Sequence, residues 1–268
     1  MRVADILRVV SLAVLLAACS CQTAVAEQVA TLRASFSPDR LGAYATVFIA
    51  FQISSIPAKD QIPLTGMTVW LPSEIGLVTS GLGLENCLLS RLEDAGPEGC
   101  PSDSLMGRGI ASAEIPFGSE VVVQSAQVDV FSARVQNGRL ALMVFVDAQS
   151  PVEAELVFPA TVVPASAPFS EGVETNIPLV PTVPGGSDVA VTHFQMALGP
   201  TTAGRDHFVY YRSVRGHRVA YSPRGLLLPP VCPSSGFPFR AQFTFADGSS
   251  ATAHATVPCP NTDRHTRL

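Results

Sequence analysis

FPFRAQFTFADGSSATAHATV, residues 237–257, is the stretch that decides the fold class. Phe237, Phe239, Ala241, Phe243 and Phe245 alternate with Arg240, Gln242 and Thr244. On the return side Ala251, Ala253, Ala255 and Val257 alternate with Thr252, His254 and Thr256. A period of two is the mark of a strand with one buried face. Both apolar sets fall on odd positions, so the loop between them must hold an odd number of residues for the faces to agree. Ala246-Asp247-Gly248, with Gly248 in the left-handed region, meets that condition. The spacing therefore predicts an antiparallel hairpin in which phenylalanines face alanines. In that register Cys259 lies opposite Ser235, and a bend at Pro233 brings Cys232 within disulfide reach.

The same reading extends upstream. Val152, Ala154, Leu156 and Phe158 alternate with Glu153 and Glu155, a strand with its apolar side inward. Asn137-Gly138 supplies the two positive-φ positions of a type I′ turn. Closing a hairpin there sets Phe131 opposite Val144, Ala133 opposite Leu142 and Val135 opposite Leu140. Residues 43–53, AYATVFIAFQI, are apolar on nearly both faces, as in a strand with neighbours on each side. Further strands are expected near 29–36, 67–71, 189–198, 208–214, 217–222 and 224–228. One helical turn is expected between Asn86 and Gly96, capped by Asn86, with Leu88, Leu89 and Leu92 on one side. The fold class is all-β and of β-sandwich type, arranged as two lobes or as one large two-sheet domain. Pro159, Pro164, Pro168, Pro178, Pro181 and Pro184 make residues 159–186 a crossover or linker. It separates an N-terminal β lobe, 27–158, from a C-terminal one, 187–268.

Apolar residues make up 47% of the chain and charged residues 15%, so it can bury a core and is not disordered by composition. The net charge of −5 gives no footprint for nucleic acid. Arg2, Arg8 and the apolar run from Val9 to Ala18 form an export leader too short to span a bilayer. Ala24-Val25-Ala26 offers secretory cleavage, and Leu16-Ala17-Ala18-Cys19 offers lipidation at Cys19. Both readings place the protein outside the cytoplasm. A lipid on Cys19 would leave a short spacer before the first strand, so cleavage after Ala26, giving a signal peptide of residues 1–26, is the favoured reading. Contact with a membrane is expected only through a lipid on Cys19. Four body cysteines remain, and in an oxidising compartment they read as two disulfides. The 14-residue loop from Cys87 to Cys100 and the mouth of the 237–257 hairpin favour the pairs Cys87–Cys100 and Cys232–Cys259.

Three patterns carry a family resemblance: GLENC…GPEGCPSDSLMGRGIASAEIPFG (83–118), IPLVPTVPGGSDVAVTHFQMALGP (177–200), and two closing cysteines separated by 26 residues around an Asp-Gly turn. Over roughly residues 60–260 the chain resembles a group of exported, cysteine-paired, β-rich proteins of Actinobacteria that carry no assigned activity. The resemblance implies export, disulfides and β architecture, and no catalytic residue.

No linear motif announces chemistry. G-x-S-x-G, H-E-x-x-H, the P-loop and G-x-G-x-x-G are absent from the sequence, and no metal or cofactor is expected. His193 reads as a sheet residue. Asp206-His207 would face opposite ways along a strand, and His254 reads as solvated. The uneven feature is a basic strip, Arg205, Arg212, Arg215, Arg218, Arg224 and Arg240, with Tyr210, Tyr211 and Tyr221 interleaved. Its ordinary reading is a solvated face; its functional reading is a surface for anionic polymer or headgroups. The expected function is that of a non-catalytic exported protein in binding, adhesion or structure. Its partner would be a cell-envelope polymer or another surface protein. The alternatives are that anion-binding strip and a polymer hydrolase using carboxylates such as Glu153 and Glu155.

Overall fold

The computed structural model describes residues 27–56, 61–77, 80–117, 120–136, 139–182, 186–200, 210–221 and 223–260. The leader, Cys19, the Asn137-Gly138 turn and Arg205 lie outside the described residues. Strands β1 (Glu27–Ser37), β2 (Tyr44–Ile56) and β3 (Leu64–Pro72) precede a short helix, α1 (Leu89–Ala95). Then follow β4 (Leu105–Phe117), β5 (Glu120–Gln136), β6 (Arg139–Ala148), β7 (Ala154–Pro164), β8 (Phe169–Asn176) and β9 (Ala190–Leu198). The chain continues through β10 (Tyr210–Val214), β11 (His217–Tyr221), β12 (Leu226–Leu227), β13 (Phe237–Phe245) and β14 (Ser250–Val257).

The all-β class is as expected, but the strand pairing gives one large sheet in place of two facing ones. Its order is β1-β2-β9-β4-β5-β6-β7-β8-β3-β13-β14, with β12 attached to β2 and β10–β11 as a separate hairpin. Every pairing is antiparallel. The outermost strands of this order, β1 and β14, lie beside each other, so the sheet curls into a nearly closed barrel. Alternation along a strand tells inside from outside equally for a sandwich and a barrel. Which strands neighbour each other is what separates the two. Part of the proline-rich stretch 159–186 is strand: its beginning completes β7, and β8 lies wholly inside it. Pro159 and Pro164 occupy ladder positions opposite Met143 and Glu171.

The hairpin of 237–257 forms as its alternation predicts. Phe237 pairs Val257, Phe239 pairs Ala255 and Phe243 pairs Ala251, with Gly248 at φ 82°. The β5–β6 hairpin departs from expectation by one residue. Gln136 faces Arg139, as a two-residue turn requires, but an irregularity between Ala133 and Gln136 shifts the ladder. Phe131 then faces Met143, not Val144, and Ala133 faces Ala141, not Leu142. A shift of this kind carries little burial penalty here, because both strands carry apolar residues on both sides. Inside the barrel lie Val128, Val130, Leu142 and Val144. Outside, Phe131, Ala133, Ala141, Met143 and Phe145 form a second small core with Leu92 and the Cys87–Cys100 disulfide.

Helix α1 sits over that outer core. Only Leu92 is buried in it, while Leu88 and Leu89 stay partly exposed, contrary to the shared face expected. Its N-cap is Leu88, without a side-chain bond. Asn86 instead accepts a hydrogen bond from the Ser132 hydroxyl at 3.2 Å. The C-terminal stop at Gly96, φ 60°, is as expected.

Candidate functional site

The distribution of side-chain volume inside the barrel creates the site. On one side β13 contributes Phe237, Phe239, Phe243 and Phe245, all buried. Phe237 and Phe239 meet Phe36, and Phe243 meets Phe51, with ring centroids 4.8–6.0 Å apart. That half is filled. The inner positions of β4, β5, β6 and β7 instead include Ala111, Ala113, Ala126, Ala148, Ala154 and Ala160. Small residues on facing strands leave space that larger ones would close.

The result is a cavity of about 170 Å³ between β2 and β9 on one side and β5 to β8 on the other. Phe51 and Phe194, stacked at 5.0 Å, form one wall. Val130, Leu142, Val144, Leu156, Phe158 and Val173 form much of the other. Thr175 is the one polar side chain among the described residues of the lining, and its hydroxyl is turned to the carbonyl of Pro159 at 2.8 Å. An apolar cavity of about 150 Å³ stays dry and takes benzene. At about 24 cal/mol per Å³, leaving such a space without an occupant costs on the order of 4 kcal/mol.

Two further spaces continue this one along the barrel. Toward the Ala148 end of β6 lies a space of about 100 Å³, which shares Leu64, Val146 and Leu156 with the central cavity. Its rim is apolar, because Gln124 spends its amide on the backbone of Val152. Nε2 donates to the Val152 carbonyl at 2.6 Å, and the Val152 N–H donates to Oε1 at 3.1 Å. Toward the other end the inner faces turn polar. Ser132 follows Val130 on β5, and Glu171 precedes Val173 on β8. They line a mouth of about 420 Å³ together with Leu77, Leu82, Gly83, Met106, Leu140 and Val162, with Arg139 exposed beside it.

The segment between β3 and α1 shapes this mouth. Ile75, Leu77 and Leu82 are buried in the main core although they belong to no strand or helix. Gly83, φ 62°, lies so close to Ser132 that a Cβ there would stand 2.6 Å from the Ser132 Cβ. Glu171 accepts a hydrogen bond from the Leu77 N–H and so ties the segment to β8. Burial pushes the Glu171 carboxyl above the usual range, and the Leu77 N–H only partly opposes this.

Where they are described, the arginines of the sequence-derived strip stand on the β10–β11 hairpin, just before β12 and on β13. Arg215 and Gly216, both at positive φ, make the turn of the β10–β11 hairpin, where Arg218 lies 4.0 Å from the Tyr211 ring centroid. Ser102 donates to the Tyr211 carbonyl at 2.9 Å, so the hairpin rests on the short turn that follows Cys100. Arg224 lies 5.6 Å from the Tyr44 ring, and Arg240 stands on β13 over Trp70. Of Tyr210 and Arg212 only the backbone is described. Glu153 and Glu155 are exposed, and Glu155 pairs with Asp147 across the ladder. His254 is exposed opposite Arg240, and His193 is half-buried opposite Gln52 and Ser112. Among the described residues no group of three or more His, Cys, Asp or Glu could hold a metal ion. No described helix is long and apolar enough to cross a membrane.

The disulfides join Cys87 to Cys100 and Cys232 to Cys259, with Cα separations of 5.0 and 5.8 Å. Such pairs belong to an oxidising environment. Glu171 is the site residue that sequence reasoning passed over. The available signal was an acid at an inward parity on β8, among Val173 and Thr175. Comparison with protein-family models, curated proteins and solved structures finds no match to this chain.

Proposed function

We propose that this protein is an exported, non-catalytic binding protein whose ligand is apolar and is housed inside the barrel. The observation that supports this reading is the 170 Å³ cavity, lined by apolar side chains and continuous with a second apolar space. A protein whose sole task was adhesion or structure would gain by filling that volume, since native interiors are packed to crystal-like density. Filling it needs only larger residues at Ala111 or Ala160. The leader and the paired cysteines direct this binding to the cell exterior, with cleavage after Ala26 releasing the protein. Intact mass of protein from medium and membrane fractions tests that release.

The binding itself is tested with Nile red, an uncharged dye that fluoresces in apolar surroundings. The folded protein is expected to raise its emission saturably. Ala160→Phe and Ala111→Phe, which place a ring in the cavity, are expected to weaken binding at least tenfold while the β-sheet circular dichroism persists. Absence of saturable emission, or emission unchanged in both folded variants, overturns the reading.

A further inference from the structure

We infer that the ligand is a single-chain amphiphile whose head group donates hydrogen bonds, with its chain along the barrel axis and its head at Glu171. This rests on the reading of the barrel as an apolar-ligand site and adds polarity and direction to it. The three spaces lie in file, sharing lining residues at each junction: Leu64, Val146 and Leu156 at one, Leu77 at the other. From Gln124 to Ser132 on β5 the file covers about 27 Å of strand at ~3.4 Å per residue. With a strand tilt of about 40°, that is roughly 20 Å along the axis. A file of that length suits one extended chain.

The chemistry is graded along that file. The far end is apolar, since Gln124 is closed on Val152. At the mouth, the inner polar side chains among the described residues present acceptors. Glu171 is buried and acceptor-only when ionised. Ser132 spends its proton on Asn86, and Ser170 shares its proton between the carbonyls of Pro72 and Ile75 at 3.0 Å each. Both hydroxyls keep lone pairs for an incoming donor. Arg139, the one cation among the described residues of this mouth, sits exposed at its outer edge. A long-chain alcohol or amine meets acceptors at every inner position. A carboxylate head would instead place a second carboxylate beside the buried Glu171, where like charges repel.

The test is displacement of bound Nile red by decylamine, decanol and decanoate near neutral pH, below their micelle thresholds. Decylamine and decanol are expected to displace the dye at concentrations at least tenfold lower than decanoate. Glu171→Gln is expected to remove most of the preference for the amine. Equal displacement by the three heads, or preference for decanoate, overturns this inference while leaving the apolar-ligand reading intact. Failure of the wild-type protein to bind Nile red overturns both. Should Glu171→Gln not fold, the head-group series on the wild-type protein decides alone.

Discussion

Arg240 and Trp70 are direct partners across the β13–β3 ladder, and the guanidinium lies 3.9 Å from the centroid of the indole. On its other flank Trp70 faces Gly172 of β8, where a Cβ would stand 3.1 Å from the ring. A cation on one side and a bare backbone on the other hold the indole flat against the outside of the barrel. Arg240→Ala should lower stability by about 0.5–2 kcal/mol, the range for a cation over an aromatic face. Because the chain has a single tryptophan, its emission reads this contact directly. Urea unfolding followed at that emission checks the value. An unchanged midpoint together with unchanged emission would show that the stack contributes nothing.

Glu171→Gln should flatten part of the pH dependence of stability. The folded-state pKa of Glu171 is raised, so between the ordinary carboxylate range and that higher value the folded protein holds a proton that the unfolded chain has released. Stability therefore falls as pH rises through this window and levels off above it. The glutamine variant loses that slope, and its stability relative to wild type should grow as pH rises through the window. Denaturant midpoints across mildly acid to neutral pH check this, and parallel curves for the two proteins would refute it.

Arg108 donates to Asp129 at 2.6 Å on the outer face of the barrel. The Asp129 side chain is 8% exposed and that of Arg108 42%. Burial foremost, with the charge of Asp147, raises the aspartate above its usual range against the opposing pull of the Arg108 guanidinium. Arg108→Ala should cost about 1–2 kcal/mol near neutral pH, less than the ~3–5 for breaking a fully buried pair because Arg108 meets solvent. The loss should shrink in acid, where Asp129 takes up a proton. A pH-independent loss would assign the cost to side-chain packing.

Replacing Cys232 and Cys259 together by serine should lower stability by about 3–4 kcal/mol on the chain-entropy estimate. Phe243→Ala, at a fully buried site against Phe51, should cost roughly 3–5 kcal/mol. Thermal unfolding of each variant measures both. A loss below about 1 kcal/mol for Phe243→Ala would mean that the filled half of the barrel relaxes around the change.

Much of the fold was readable one strand at a time. The parity of 237–257 and of 152–158 placed inner and outer faces, and the cysteine pairs followed from hairpin arithmetic and compartment. Two things were not readable. The one-residue shift between Ala133 and Gln136 lies in a hairpin apolar on both faces, so alternation carried no penalty against either register. The neighbours of β2 and β3 were hidden as well, since β9 and β13 reach them from far along the chain. The site inherits that difficulty. Its alanines look unremarkable singly, and they acquire meaning only when strands distant in sequence bring them face to face.

The strand order also dictates when the protein can exist. β2 waits for β9, and β3 waits for β8 and β13, which leave the ribosome far later. Among the described strands, β1–β2, the run from β4 to β8, and the β10–β11 and β13–β14 hairpins are neighbours in both chain and space. A polypeptide threaded outward amino end first would carry its first three strands without their final neighbours until nearly the whole length had crossed. Closure by long-range pairing is slow, and here it comes last. That delay would suit the export proposed above, in which the chain stays unfolded until it has crossed.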